Sequence, residues 1–155
     1  MLIIKPLGTV DYQPTWEAMR KFTDTRTAET SDELWLLEHP PVFTLGQAGK
    51  PEHILDAGTI PLVKTDRGGQ VTYHGPGQLV GYPIVSLPEW RGGQRDVVAY
   101  VRALETVVID SLATVGIDAG RSEGYTGVWV GDAKIAAIGV RVARGRTQHG
   151  FAINV

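Results

Sequence analysis

A glycine-rich run between two apolar segments holds most of the side chains that could orient a small ligand. The run extends from Arg67 to Tyr82, and four glycines lie within its first eleven positions. Glycine lets backbone approach a ligand closely and adopt positive φ angles. The polar members of the run are Arg67, Gln70, Thr72, Tyr73, His74 and Gln78. Polar groups beside apolar strands in this way predict a site for an apolar chain with a polar head.

The alternative interpretation is a glycine-rich turn between two strands, in which His74 only caps a loop. That interpretation suffices for any single residue, but a plain turn does not need so many polar groups at fixed places. The run has no Gly-Lys-Ser/Thr of a phosphate-binding loop and no Gly-x-Gly that opens a helix. Nucleotide binding is therefore not indicated.

Other polar residues give weaker signals. Lys134 opens a strand of mostly apolar residues, and a lysine in that place is usually a solvated strand end. His39, His53 and His149 are not spaced as metal ligands on a helix or hairpin, and cysteine is absent, so no metal site is predicted. We interpret His39 and His53 as loop residues.

Composition excludes several classes of function. The 155 residues are 43% hydrophobic and 21% charged, which indicates one globular domain over residues 1–155. The net charge of −2 gives no reason to expect nucleic acid or anionic lipid as a partner. No apolar run is long enough to span a membrane, and the start is too short for a signal peptide, so we expect a cytoplasmic protein. The absence of cysteine excludes a disulfide or a cysteine nucleophile within these residues.

Hydrophobic periodicity predicts the elements that position these residues. Tyr12, Trp16, Met19 and Phe22 recur at helical spacing, which predicts an amphipathic helix. Trp16, Met19 and Phe22 are expected to form core, and the longest helix is predicted at Arg95–Val115. Strands are predicted at Leu2–Lys5, Leu34–Glu38, Val42–Leu45, Ile60–Thr65, Val71–His74, Leu79–Val85, Gly127–Val130, Lys134–Val142 and His149–Val155. Residues 131–133 are expected to form a hairpin turn. This order predicts an α/β or α+β fold, a mixed sheet with packed helices.

The last strand gives an unusual signal. Phe151, Ile153 and Val155 alternate as in a half-buried strand, and the chain then stops. A free carboxylate on a buried strand position would be costly. The sequence is therefore expected to be cut inside its fold, so that the domain is incomplete at its C-terminus.

The central run resembles the signature of the lipoyl(octanoyl) transferases. The resemblance continues through most of the chain, in the family's order. Its other segments are residues 22–26, Glu38–Thr44, Gly46–Lys50, Glu52–Leu55, Lys134–Ile135, Ile138–Arg141 and His149–Val155. These enzymes move an octanoyl group from acyl carrier protein to a lysine of lipoate-dependent enzyme domains, and they share the fold of lipoate and biotin protein ligases.

The resemblance implies an acyl-substrate site and a catalytic residue. The implied substrate-binding residues are Arg67, Gly68, Gly69, Gln70, Val71, Thr72, Tyr73, His74, Ala137, Ile138, Gly139, Gly150, Phe151 and Ala152. Lys134 matches the family's active-site lysine, and His149 is implied to lie close to the acyl site. In the family a cysteine carries the acyl group as a thioester, and the resemblance implies that it lies shortly after Val155, in a Pro-Cys-Gly-like segment.

The resemblance also implies partners and leaves alternatives. The implied partners are octanoyl-acyl carrier protein, the lipoyl domains of 2-oxoacid dehydrogenases and the H protein of glycine cleavage, and no cofactor is expected. Within the same fold, an ATP-using lipoate or biotin ligase is the first alternative, although we find no nucleotide-binding lysine context. A non-catalytic acyl-binding pseudoenzyme is the second, and the missing cysteine favours it for these residues.

Overall fold

The computed structural model describes residues 1–87 and 96–155. Two α-helices occur in these residues, α1 at Tyr12–Thr25 and α2 at Val97–Ala113. The strands are β1 Leu2–Thr9, β2 Asp32–Glu38, β3 Val42–Leu45, β4 Leu62–Lys64, β5 Val71–His74, β6 Gln78–Ile84, β7 Val128–Val130, β8 Ala133–Ala143 and β9 Arg146–Asn154. Neither helix of this part of the chain is long and apolar enough to cross a membrane.

The strands form two sheets. The larger has the order β1-β2-β6-β9-β8-β7, in which β1 and β2 are parallel and the other neighbours are antiparallel. The smaller has the order β4-β3-β5 and also mixes both directions. The expected mixed sheet with packed helices is therefore confirmed. The predicted hairpin between β7 and β8 is confirmed, but its turn has two residues, because Ala133 already belongs to β8.

The two helices cover opposite faces of the larger sheet. Met19 of α1 packs in one cluster with Ala152, and Val108 of α2 packs in another with Phe151 and Ile153. Neighbouring side chains of a strand point to opposite faces, so β9 is covered on both sides. Trp16 and Phe22 pack against the first cluster, which confirms that the α1 stripe belongs to the core.

Two expectations about burial are wrong. Phe151, Ala152 and Ile153 are all buried, at 7%, 4% and 7% exposure, whereas Val155 is 98% exposed. The expected half-buried alternation fails because β9 is an inner strand with a helix on each face. Helix α2 ends at Ala113, so Val115 lies outside it and is exposed. The predicted start of that helix at Arg95 lies outside the described residues.

Candidate acyl-binding site

A cleft opens between the start of α1, the loop before β5 and the middle of the larger sheet. It encloses about 320 Å³ of space that protein atoms do not fill, part of it open to solvent. The lining residues are Tyr12, Arg67, Thr72, His74, Tyr82, Ala137, Gly139, His149, Gly150, Phe151 and Ala152.

Arg67 organises the loop that forms one wall of this cleft. Its guanidinium is buried, and Nη2 donates to Thr44 O at 2.9 Å, to Thr44 Oγ1 at 2.7 Å and to Gln70 O at 3.0 Å. Nη1 donates to Gly68 O at 3.0 Å. Burial lowers the pKa of Arg67, but a guanidinium remains cationic at neutral pH. Arg67 therefore fixes the loop, with several of its donors directed to protein oxygens.

The glycines bring this loop onto the sheet. Gly68 N donates to Val140 O at 3.0 Å, so the loop backbone lies directly on β8. A Cβ at Gly139 would stand 3.0 Å from Gly68 O, closer than most real Cβ contacts. Gly139 pairs with Gly150 across β8 and β9. The wall beside the loop is therefore bare backbone at Gly139 and Gly150, and the absent side chains let the loop and β6 pack closely against it.

His74 is held in one neutral tautomer. Gln78 Nε2 donates to Tyr73 O at 2.9 Å and to Asn154 Oδ1 at 3.0 Å, which leaves Gln78 Oε1 as the acceptor for His74 Nδ1. Burial lowers the pKa of His74 to about 4, so the ring is neutral at pH 7 and Nε2 carries no proton. The Tyr12 ring stacks on it, with 6.1 Å between the ring centroids.

His39 is a fully buried neighbour of the cleft. It lies in the β2–β3 connection, as expected of a loop residue, yet its side chain has no solvent contact. Nδ1 donates to Val10 O at 2.7 Å, because a carbonyl can only accept, and Nε2 then accepts from the Tyr82 hydroxyl at 2.7 Å. Burial lowers the pKa of His39. The Tyr82 hydroxyl is thereby fixed beside the cleft.

The side chain of His149 lines the cleft, and its backbone is strained. Its φ is 60°, in the left-handed region that a histidine rarely adopts. Nε2 donates to Asp66 Oδ1 at 2.8 Å, and Arg141 Nη1 lies 3.3 Å from Asp66 Oδ2. Burial lowers the pKa of His149. Burial alone would raise the pKa of Asp66, but His149 and Arg141 outweigh it and lower that pKa. The hydrogen bond between His149 and Asp66 therefore connects β9 to the loop that carries Arg67.

The low pKa of His74 predicts a loss of stability in acid. The unfolded chain takes up a proton near pH 6.5 and the folded ring only near pH 4, so this contribution to stability is complete above pH 6.5 and falls as the pH drops. At pH 5 the free energy of unfolding should be lower by about 2 kcal/mol from His74 alone. Urea unfolding at pH 7 and pH 5 measures the difference. His74→Gln should reduce this pH dependence. His53, which was interpreted as a loop residue, instead ends a short 3-10 helix, Pro51–His53.

Lys134 lies outside the cleft. It is an exposed residue near the start of β8, and its Nζ lies over the Trp129 ring, 5.3 Å from the centroid. Ala137, which lines the cleft, lies three positions further along β8, so the two Cα atoms are roughly 10 Å apart along the strand. A group placed between Lys134 and the cleft mouth would be within reach of both.

The structure brings together about half of the residues expected at the site. Those that line the cleft are Arg67, Thr72, His74, Ala137, Gly139, Gly150, Phe151 and Ala152. Those that do not are Gly68, Gly69, Gln70, Val71, Tyr73, Ile138 and Lys134. Val71 and Tyr73 alternate with Thr72 and His74 on β5 and therefore point to the other face. Ile138 packs in the cluster under α2.

Three residues close to the ligand space were not predicted as site residues, although Tyr82 ends the glycine-rich run. Tyr12 and Tyr82 line the cleft, and Asp66 binds the lining residue His149. Tyr12 was predicted only as a member of the apolar stripe of α1. Asp66 directly precedes the glycine-rich run, and this position was its one available signal. Among residues 1–87 and 96–155, no three side chains of histidine, aspartate or glutamate are arranged to hold a metal ion.

Solved structures with this architecture define the fold class. A Thermoplasma acidophilum protein solved with bound lipoic acid superposes with a TM-score of 0.77 at 18% identity, covering 99% of this chain and 68% of the other. Lipoate-protein ligase A bound with ATP gives 0.74 at 17% identity, covering 99% and 66%. A biotin protein ligase from Aquifex aeolicus gives 0.51 at 11%, covering 99% and 52%. The fold is that of the lipoate and biotin protein ligases.

Sequence relatives place the chain more narrowly. Residues 11–155 match the family described as the lipoyl protein ligase A/B catalytic domain, and the chain belongs to that family. It is 58% identical to an octanoyltransferase of Halorhodospira halophila over 149 residues, covering 96% of this chain and 67% of the relative. It is also 58% identical to one of Aromatoleum aromaticum over 154 residues, covering 99% and 65%. The chain thus spans about two thirds of the length of these relatives.

Proposed function

We propose that the protein is an octanoyltransferase, which moves an octanoyl or lipoyl group from acyl carrier protein to a lysine of a lipoyl domain. One observation carries the proposal. A cleft walled by bare glycine backbone lies in a chain that is 58% identical to curated octanoyltransferases over nearly its whole length. The proposed partners are octanoyl-acyl carrier protein, the lipoyl domains of 2-oxoacid dehydrogenases and the H protein of glycine cleavage.

The cleft supplies binding energy for an acyl chain. The methylenes of an octanoyl group, fully buried, would contribute about 5 kcal/mol at about 0.8 kcal/mol each. Tyr12, Ala137, Phe151 and Ala152 line the cleft and supply apolar surface for the chain. Neutral His74 adds no charge that the chain would have to desolvate.

The proposed chemistry has two steps. A cysteine thiolate attacks the thioester carbonyl of the carrier-bound acyl group, which forms the acyl-enzyme and releases the carrier thiol. The amine of the target lysine then attacks the new thioester, which gives an amide and restores the cysteine. The sequence holds no cysteine, and the proposal assigns this residue to a longer chain, near Lys134 and the cleft mouth. The Lys134 ammonium would favour the thiolate, and its amine would assist proton transfer from the attacking lysine.

A transfer assay with two acyl donors tests the proposal. The longer protein is incubated with apo H protein and either octanoyl-acyl carrier protein alone, or free octanoate with ATP, and the H protein is weighed by mass spectrometry. The proposal expects octanoylation from the carrier without ATP and an octanoyl mass shift on the enzyme's cysteine. Modification that depends on free octanoate and ATP would instead identify a ligase. Octanoate binding without modification from either donor would identify a non-catalytic acyl-binding protein.

A further inference from the structure

The side chain of Lys134 lies in a surface seat formed by Gly127 and Trp129. A Cβ at Gly127 would stand 2.5 Å from Lys134 Cε and 3.3 Å from Nζ, so the lysine occupies space that a side chain would fill. Nζ then lies over the Trp129 ring, 5.3 Å from its centroid. An ammonium over an indole face is attracted by the ring quadrupole. The missing Cβ and the ring together define where the amine stands.

Glu105 of α2 binds the backbone of Gly127 and so stabilises one side of this seat. The carboxylate is fully buried, and its Oε1 accepts a hydrogen bond from Gly127 N at 3.0 Å. Arg102 and Arg121 each donate to the same carboxylate at 2.8 Å. Burial alone would raise the pKa of Glu105, but these hydrogen bonds outweigh it and lower that pKa. A charged acceptor makes the bond to Gly127 about twice as strong as a neutral one.

The backbone around the seat is specialised as well. Gly127 has a φ of 129°, which an L side chain rarely adopts. Val128 pairs with Ala136 and Trp129 with Lys134, so β8 has one more residue than β7 between these pairs. Such a bulge re-aims side chains and is frequent beside active sites. Trp129 is fixed in turn by two backbone hydrogen bonds of 2.8 Å with Gly120.

We infer that Gly127 and Trp129, with Gly127 held by Glu105, are positioning residues for the Lys134 amine in acyl transfer. The inference rests on the proposed function, in which Lys134 acts on the nucleophile and on the attacking amine. Neither seat residue lines the cleft. They act through the lysine, because its flexible stem would otherwise let the amine sample many positions around the cleft mouth.

Gly127→Ala and Gly124→Ala form a matched pair of variants. Gly124 lies in the same loop with a φ of 79°, and among the described residues no atom lies within 4 Å of the Cβ that alanine would add. Both changes place alanine at a positive φ and should reduce stability in the same direction. Gly127→Ala alone fills the space that Lys134 occupies, and its Cβ would also stand 2.8 Å from Ala136 O of β8.

NMR after reductive ¹³C-methylation of the lysines reports the position of Lys134 without any need for activity. Its signal, assigned by its absence in Lys134→Arg, should be shifted upfield by the Trp129 ring in the wild type and in Gly124→Ala. In Gly127→Ala it should move to the position of freely exposed lysines. An unchanged Lys134 signal in Gly127→Ala would overturn the inference.

Kinetics of the longer protein separate this inference from the proposed function. Gly127→Ala should lower kcat by roughly 10- to 100-fold at an unchanged KM for the carrier, because misplacing a reacting group by about 1 Å costs rate on this scale. Gly124→Ala should keep kcat. A moved Lys134 signal with a normal kcat would overturn the inference, because the position of the amine would then not matter for transfer, while the transfer itself would still support the proposed function. If Gly127→Ala does not fold, Trp129→Leu should lower kcat and Trp129→Phe should recover most of it; equal rates in both would overturn the inference.

Discussion

Lys134→Ala should lower kcat for octanoyl transfer by roughly 100- to 10,000-fold in the longer protein that supplies the cysteine. Positioned acid–base groups contribute rate on this scale. The change should leave the fold intact, because Lys134 is exposed on β8. Single-turnover mass spectrometry measures the two half-reactions separately, as acyl-enzyme formed from the carrier and as amide formed on the H protein.

Two further lysine variants define what Lys134 contributes. Lys134→Arg keeps a positive charge but cannot give up its proton at neutral pH. If charge alone matters, the arginine variant should carry out both half-reactions at close to the normal rate. If proton transfer matters, it should form the acyl-enzyme but pass the octanoyl group on slowly. Lys64→Ala changes an exposed lysine of β4 and serves as the control. Normal transfer by Lys134→Ala would refute the catalytic assignment.

Gly150→Ala should destabilise the fold by about 3 kcal/mol, at the upper end of the usual cost of overpacking. The added Cβ would stand 2.2 Å from Gly81 O and 2.5 Å from Pro83 Cδ. Both atoms belong to β6, the inner strand that pairs with β9, so neither can rotate away as a flexible side chain would. The strands must separate, and the same movement would distort the cleft wall. For a domain of this size Tm should fall by roughly 10 °C.

Gly120→Ala is the matched control for this change. Within the described part of the chain no atom lies within 4 Å of the Cβ that it would add, and its φ is not in the left-handed region. Glycine-to-alanine changes at compatible sites stabilise by about 0.4–1 kcal/mol through the unfolded chain. The two variants alter the unfolded chain alike, so their difference in thermal unfolding isolates the clash at Gly150. A Gly150→Ala protein as stable as Gly120→Ala would contradict the described contact between β6 and β9.

Local pattern in the sequence was enough for the architecture. The apolar stripe of α1 predicted a helix because side chains on one helical face recur about every 3.6 residues. Extended runs such as Val71–His74 predicted strands, and the short segment 131–133 between two such runs predicted a hairpin. Burial was predicted less well, because a period of two detects a strand with one buried face. Strand β9 has two buried faces, and its residues Phe151, Ala152 and Ile153 are all buried.

The sequence by itself determined the family, the mixed fold and the loop that forms one cleft wall, because these depend on residue types at fixed spacing along the chain. Only the tertiary structure decided which side chains reach the ligand space. Tyr12 and Tyr82 line it, and Asp66 binds His149 across 83 positions of sequence. The structure also places Lys134 outside the cleft, over Trp129 and against Gly127. The reason is physical: a local pattern fixes the face of a strand or helix, whereas the neighbour across that face is fixed by sheet order and packing.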